Sequence, residues 1–162
     1  MEYLQNTNVL KTTLTSDEGV LEVLDYAPRV PSGLTVEAPL EIHRLIIPRE
    51  GTPSFRVRFD PRPDYGRAPV EIIQGPKGLE VQGATSRLFL STNVPATYVM
   101  NGQPIRADHP RYFVLSYGKP TDADSLESVQ RACDLTVAGW RTWAKTCALP
   151  SFAATHVLRS AL

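Results

Sequence analysis

The chain has 162 residues, enough for one domain with a sizeable buried core. Lys+Arg and Asp+Glu both number 17, and the resulting zero net charge argues against a nucleic-acid groove or an anionic membrane surface as partner. With 42% hydrophobic and 21% charged residues, and no apolar run near the ~18 residues of a membrane span, the composition is that of a soluble globular protein.

Met1 is followed by Glu2, without the basic start and apolar run of a signal peptide, so the expected location is cytoplasmic. Fourteen prolines, nearly all before residue 121, punctuate short apolar runs. Proline cannot donate to a ladder, so this pattern predicts many strand ends and turns. The expected strands begin with Val9–Thr15, a turn at Ser16-Asp17-Glu18-Gly19, and Val20–Tyr26. Residues 28–40 hold three prolines and read as a loop with at most one edge strand. Ile42–Ile47 follows, ended by Pro48.

Phe55–Asp60 is the clearest strand signal. Phe55, Val57 and Phe59 fall on one face, Arg56, Arg58 and Asp60 on the other. Pro61 and Pro63 stop it, and Asp64-Tyr65-Gly66-Arg67 makes a polar corner. Further strands are expected at Val70–Gln74, Leu79–Gln82, Arg87–Thr92, Ala96–Met100, around Ile105 and at Tyr112–Tyr117. Asn101-Gly102 reads as a hairpin turn. Turn signals at intervals of about ten residues predict an antiparallel β-sandwich rather than βαβ units.

At Pro120 the period changes. Asp124 and Glu127 form a capping-box-like pair, and Leu126, Val129, Cys133, Val137, Trp140, Ala144 and Cys147 recur at spacings of three and four. The pattern predicts an amphipathic helix of roughly six turns, ended by Pro150. Trp143 lies beside the stripe, and Gly139 admits a close backbone approach. Cys133 and Cys147 lie about 21 Å apart along such a helix, beyond the ~4.4–6.8 Å that a disulfide spans. Ser151 is the expected cap of a second helix carrying Phe152, Val157, Leu158 and Leu162, a pattern still running at the last residue. The expectation is therefore that the protein continues past it.

Chemistry is sparse. The sequence shows no phosphate loop, nucleophile elbow or His-x-x-x-His pair, and His43, His109 and His156 stand far apart, so no metal site is expected. Asp25 and Asp60 read as hydrogen-bonding residues of turns.

The order of motifs adds to this reading. Tyr3, Thr7, Asn8, Val9, Leu10 and Thr12 stand in the pattern Y-x-x-x-T-N-V-L-x-T; Gly19, Asp25 and Pro28 follow in a strand of their own. Pro61-Arg62-Pro63-Asp64-Tyr65-Gly66-Arg67, Phe113-Val114-Leu115-Ser116-Tyr117, the tryptophans at 140 and 143, and Arg159-Ser160-Ala161-Leu162 complete the series. The ordered set resembles glycoside hydrolase family 15, the glucoamylase and trehalase-like enzymes. That resemblance implies a β-supersandwich domain over 1–121, a linker helix over 122–149, and the first helix of an (α/α)6 barrel over 150–162. It further implies hydrolysis of α-glucosidic bonds, as in trehalose or an α-glucan, by an inverting pair of carboxylates. The family's catalytic glutamates lie in the barrel, so no catalytic residue, cofactor or metal is assigned within this chain, which alone is expected to be inactive.

Asp64, Tyr65, Gly66, Arg67, Trp140 and Trp143 are the expected contacts to the missing barrel, with self-association as the outcome when that surface is bare. Two other readings stand beside this one. A carbohydrate-binding sandwich would use exposed aromatics, with Tyr65, Tyr98 and Tyr112 as candidates. A structural or assembly module would dock through the terminal helix.

Overall fold

The structure is a computed structural model of residues 1–162 that describes every residue except Ala84 and Ser86. Its strands are β1 (Glu2–Tyr3), β2 (Leu10–Ser16), β3 (Gly19–Tyr26), β4 (Val30–Ser32), β5 (Thr35–Glu37), β6 (Glu41–Gly51), β7 (Ser54–Phe55), β8 (Glu71–Gly75), β9 (Gly78–Gln82), β10 (Leu88–Thr92), β11 (Ile105–Arg106) and β12 (Arg111–Tyr117). The helices are α1 (Ala96–Met100), α2 (Leu126–Thr146) and α3 (Ala154–Ala161). Eight strands form one sheet in the order β1-β2-β3-β6-β12-β10-β9-β8, and β4–β5 and β7–β11 are separate two-stranded ribbons. Every pairing is antiparallel, as the closely spaced turn signals predict.

Alternation gives the large sheet two apolar faces. On one, Leu21, Val23, Ile46, Leu90 and Phe113 pack under the β7–β11 ribbon, α1 and residues 55–59. On the other, Val9, Leu24, Tyr26, Leu45, Tyr112 and Val114 receive Val129 and Cys133 of α2. Burying each such aliphatic side chain contributes about 1.5–3 kcal/mol, so the sheet is held from both sides. The fold is mainly β with a long C-terminal helix. Its second β layer is reduced to the β7–β11 ribbon.

Several boundaries differ from the sequence pattern, each for a local reason. Strand β6 runs through Pro48 to Gly51. Leu21 faces Pro48 and Val20 faces Glu50, so Arg49 is an extra residue in a bulge, and pairing to β12 extends only to Ile46. A bulge beside a free edge tolerates proline. Residues 28–40 hold a complete hairpin, β4–β5, rather than a single edge strand.

Ala96–Met100 is a helix, not a strand. Asn101 and Gly102 terminate it instead of turning a hairpin: the Gly102 N–H donates to the Val99 carbonyl at 3.3 Å and the Gln103 N–H to Tyr98 at 2.9 Å. These two bonds, with Gly102 at φ +58°, make a Schellman cap.

Helix α2 begins one residue later than the Asp124–Glu127 pair suggests. Its cap is Ser125, which exchanges side-chain-to-backbone bonds of 3.1 Å with Ser128. The Arg29 backbone does run beside Gly139, but a Cβ there would stand 3.6 Å from the Arg29 carbonyl oxygen, an ordinary contact, so this approach does not require a glycine. Helix α3 is preceded by Ala153 in the left-handed region, not capped by Ser151. Of its predicted apolar residues Leu158 is buried, whereas Phe152 and Val157 are exposed.

Candidate functional site

The corner after Pro63 turns left-handed. Asp64, Tyr65 and Gly66 have φ of 52°, 60° and 68°. Left-handed backbone costs a non-glycine residue about 1–2 kcal/mol, so the turn needs support. It has some: the Gly66 N–H donates to Pro63 O at 2.9 Å, and Asp64 Oδ2 accepts from the Thr85 N–H at 2.9 Å. The result projects Tyr65 into solvent, 93% exposed, with the Arg67 guanidinium 5.3 Å from its ring centre.

Trp140 and Trp143 meet edge to face at 5.7 Å near the end of α2. Arg29, arriving from the β3–β4 connection, stacks 4.7 Å over Trp140. Trp143 is 38% exposed. Neither tryptophan belongs to the two core clusters. Helix α2 packs on one face of the sheet, and residues 55–59, which lead towards the corner, pack on the other.

Three features escape the sequence reading. The first is a buried polar chain. Tyr26 donates its hydroxyl to the Val129 carbonyl of α2 at 2.6 Å, His43 Nδ1 lies 3.1 Å from that hydroxyl, and His43 Nε2 lies 2.8 Å from Glu41 Oε2. Burial opposes ionisation of Glu41, but hydrogen bonds from His43 and Thr121 outweigh it and hold its pKa below the ordinary value. Burial, reinforced by the charges near it, pushes the Tyr26 phenol upward. The signal was available: His43 shares its strand face with Leu45 and Ile47, and a histidine in phase with apolar residues is a buried histidine.

The second feature is a clasp between the chain's two ends. Arg159 of α3 donates to the Thr7 carbonyl at 2.7 Å and to Asn8 Oδ1, and its guanidinium lies 4.1 Å over the Tyr3 ring. The Asn8 amide donates in turn to the Leu162 carbonyl. The third is an apolar groove of about 380 Å³ between residues 55–59 and the sheet, floored by Leu14, Leu21, Ile42 and Leu115.

Other expectations need correcting. Tyr112 is not a surface platform; it is buried and donates its hydroxyl to the Asp124 carbonyl at 2.7 Å. Asp25 is not a turn residue. It lies within β3 and pairs with its cross-strand neighbour Arg44 through bonds of 2.7 and 3.0 Å. Asp60 pairs with Arg62 at 2.9 Å and Arg58 at 3.1 Å, and the Arg62 hydrogen bond, aided by Arg58, holds its carboxyl below the usual range. Both cysteines are free; burial pushes the Cys133 thiol up to about 11, which makes it a packing residue rather than a nucleophile. Among the described residues no three His, Cys, Asp or Glu side chains group as metal ligands, and no helix is long and apolar enough to cross a membrane.

These observations define the class: an antiparallel β module with a helix packed across one face of its sheet. The family model for the N-terminal domain of trehalase-like proteins matches residues 1–104, well over half of the 162. The chain belongs to the trehalase-like N-terminal family, and is thus a glycoside-hydrolase-related module. No curated protein and no solved structure matches it. The match stops before β12, yet β12 lies between β6 and β10 in the sheet. The folding unit therefore extends beyond the matched residues.

Proposed function

We propose that this chain is the non-catalytic N-terminal module of a glycoside hydrolase of the family 15 type, acting on α-glucosidic bonds by inversion. In this reading the two carboxylates belong to an (α/α)6 barrel. The acid protonates the glycosidic oxygen, and the second carboxylate activates water from the opposite side of the ring. The module's task is to hold that barrel, with residues 122–149 as the linker helix and 150–162 as the barrel's first helix. Family membership supports the coarse part. The observation that carries the finer part is the clasp: Arg159, from the last motif of the resemblance, bonds Thr7 and Asn8 and stacks on Tyr3, from the first. Residues some 150 positions apart that share one resemblance meet in one place.

The barrel contacts assigned to this role are Asp64, Tyr65, Gly66 and Arg67 at the corner, and Trp140 and Trp143 on α2. The test is binding in trans to the purified catalytic barrel of a trehalase-like hydrolase. The parent chain should bind, and Trp143→Ala and Arg67→Ala should each weaken binding without lowering the melting temperature. The chain alone should release no glucose from trehalose or maltose. The carbohydrate-binding reading predicts instead a saturable oligosaccharide signal on a glycan array, lost in Tyr65→Ala. That result, with no barrel binding, would replace the proposal.

A further inference from the structure

Residues 55–60 alternate like a strand, and their apolar side chains pack onto the core, yet they have a ladder partner only at Ser54–Phe55. Among the described residues, Arg56–Asp60 make no backbone–backbone hydrogen bond. Which way their backbone groups point follows from one bond. The Ala107 N–H donates to the Pro53 carbonyl at 3.0 Å, and in an antiparallel pair such contacts recur every second residue. Phe55 thus turns its backbone towards β11 and Ser54 turns to the opposite edge, and an extended continuation of the chain carries Arg56 and Arg58 in phase with Ser54. Ser54 agrees: its N–H donates to Glu18 Oε2 at 2.7 Å, on the β2–β3 hairpin. Among the described residues, no partner bonds the backbone N–H or C=O of Arg56 or Arg58 along that edge.

The same edge overlooks the apolar groove. Its floor includes Leu14, 50% exposed, and Ile42, 57% exposed, on the sheet face that β7 and β11 leave uncovered. The walls carry Arg44, Arg56 and Arg58 against the single carboxylate Asp25. Asp25 neutralises Arg44, and Arg56 donates to the neutral Gly102 carbonyl at 2.6 Å, with no carboxylate paired to it among the described residues. Arg58 shares Asp60 with Arg62. The rim is cationic.

We propose that this edge accepts an extended strand from a partner polypeptide, alternating apolar and acidic residues, as the third strand of the β7–β11 ribbon. The strand's N–H and C=O groups bond Arg56 and Arg58, its apolar side chains cover Leu14 and Ile42, and its carboxylates meet the arginine rim. Strand addition supplies affinity through the main chain and specificity through alternate side chains. An apolar small molecule would fill the groove but leave the edge unused. The inference does not rest on the proposed attachment to a barrel, since it concerns neither the corner nor α2.

A displayed library of random dodecapeptides, selected on the full chain, tests it. Enriched peptides should alternate apolar residues with Asp or Glu. A selected peptide should bind about tenfold more weakly to Arg58→Pro, which removes a free-edge N–H, and to Leu14→Asp, which charges the floor. Leu14 is half exposed, so that variant keeps its fold even if the proline variant does not. N-methylation of alternate peptide amides should abolish binding in one phase and spare it in the other. No enrichment, or peptides indifferent to both Leu14→Asp and N-methylation phase, would overturn the proposal. So would a dimer of the chain itself that Leu14→Asp dissolves, because a second copy would then own the edge.

Discussion

Replacing Tyr26 by phenylalanine isolates the polar chain that ties α2 to the sheet. The ring stays, so the packing against Leu24, Leu45 and Val129 survives and no cavity opens. Lost are the 2.6 Å bond to the Val129 carbonyl and the 3.1 Å contact with His43 Nδ1. His43 is 1% exposed, so water cannot replace the hydroxyl and its Nδ1 is left without a partner. A net hydrogen bond is worth about 0.5–1.5 kcal/mol, and a buried polar atom left unmade costs about 1–3 kcal/mol. Tyr26→Phe should therefore destabilise by about 2–3 kcal/mol. In a chain of this size each kcal/mol moves the melting temperature by about 2–4 °C, so a drop of about 4–12 °C is expected by calorimetry. Urea melts should show a lower midpoint at unchanged slope, and the exposed Tyr98→Phe should leave both unaltered. A Tyr26→Phe midpoint equal to the parent's would mean that the hydroxyl contributes nothing, and the helix would be held by apolar contact alone.

Glu41 gives that chain a pH dependence. Its folded pKa is depressed below the ordinary 4.5, so its contribution is present above that value and is lost as pH falls through the folded pKa. The stability difference between parent and Glu41→Gln should stay constant from neutral pH to about 5 and shrink in melts below it. Arg159→Ala should speed amide exchange in α3 while sparing β3 and β6, since it removes the clasp and not the core; uniform protection would refute the clasp. Gly102→Ala should cost about 1 kcal/mol by urea denaturation, from its left-handed φ alone, because nothing lies within 4 Å of the added methyl. Gly78→Ala should cost more, because its Cβ would lie 2.2 Å from the Leu90 carbonyl oxygen; equal midpoints for the two variants would contradict the β9–β10 register.

The parts of the fold legible in the sequence are those where one local signal has one physical meaning. Strands β2, β3, β8, β9, β10 and β12 follow from short apolar or β-prone runs bounded by turn residues, and α2 from spacings of three and four. Misread segments carry signals with two meanings. Asn-Gly supplies left-handed backbone, which a hairpin turn and a helix C-cap both need, and only the tertiary setting of Val99 decides between them. Pro48 ends a strand that has neighbours on both sides, but the sequence does not say that β12 stops at Ile46 and leaves an edge free. The capping pair shifted by one residue because Ser125 and Ser128 satisfy each other as well as Asp124 and Glu127 would have done.

Side-chain partnerships were less visible, for a related reason. Alternation reports which face a residue takes, and is silent on what stands across the ladder. It put Asp25 beside a strand end, whereas its neighbour on β6 is Arg44. Residues 55–60 make the point most sharply. Their period of two is set by the apolar core beneath them, which demands Phe55, Val57 and Phe59 inward whether or not another strand lies alongside. Periodicity is thus evidence of a buried face and not of a paired edge. Between Arg56 and Asp60 the two come apart, and an uncovered groove and a free row of backbone groups stand where a sequence reading expects a finished sheet.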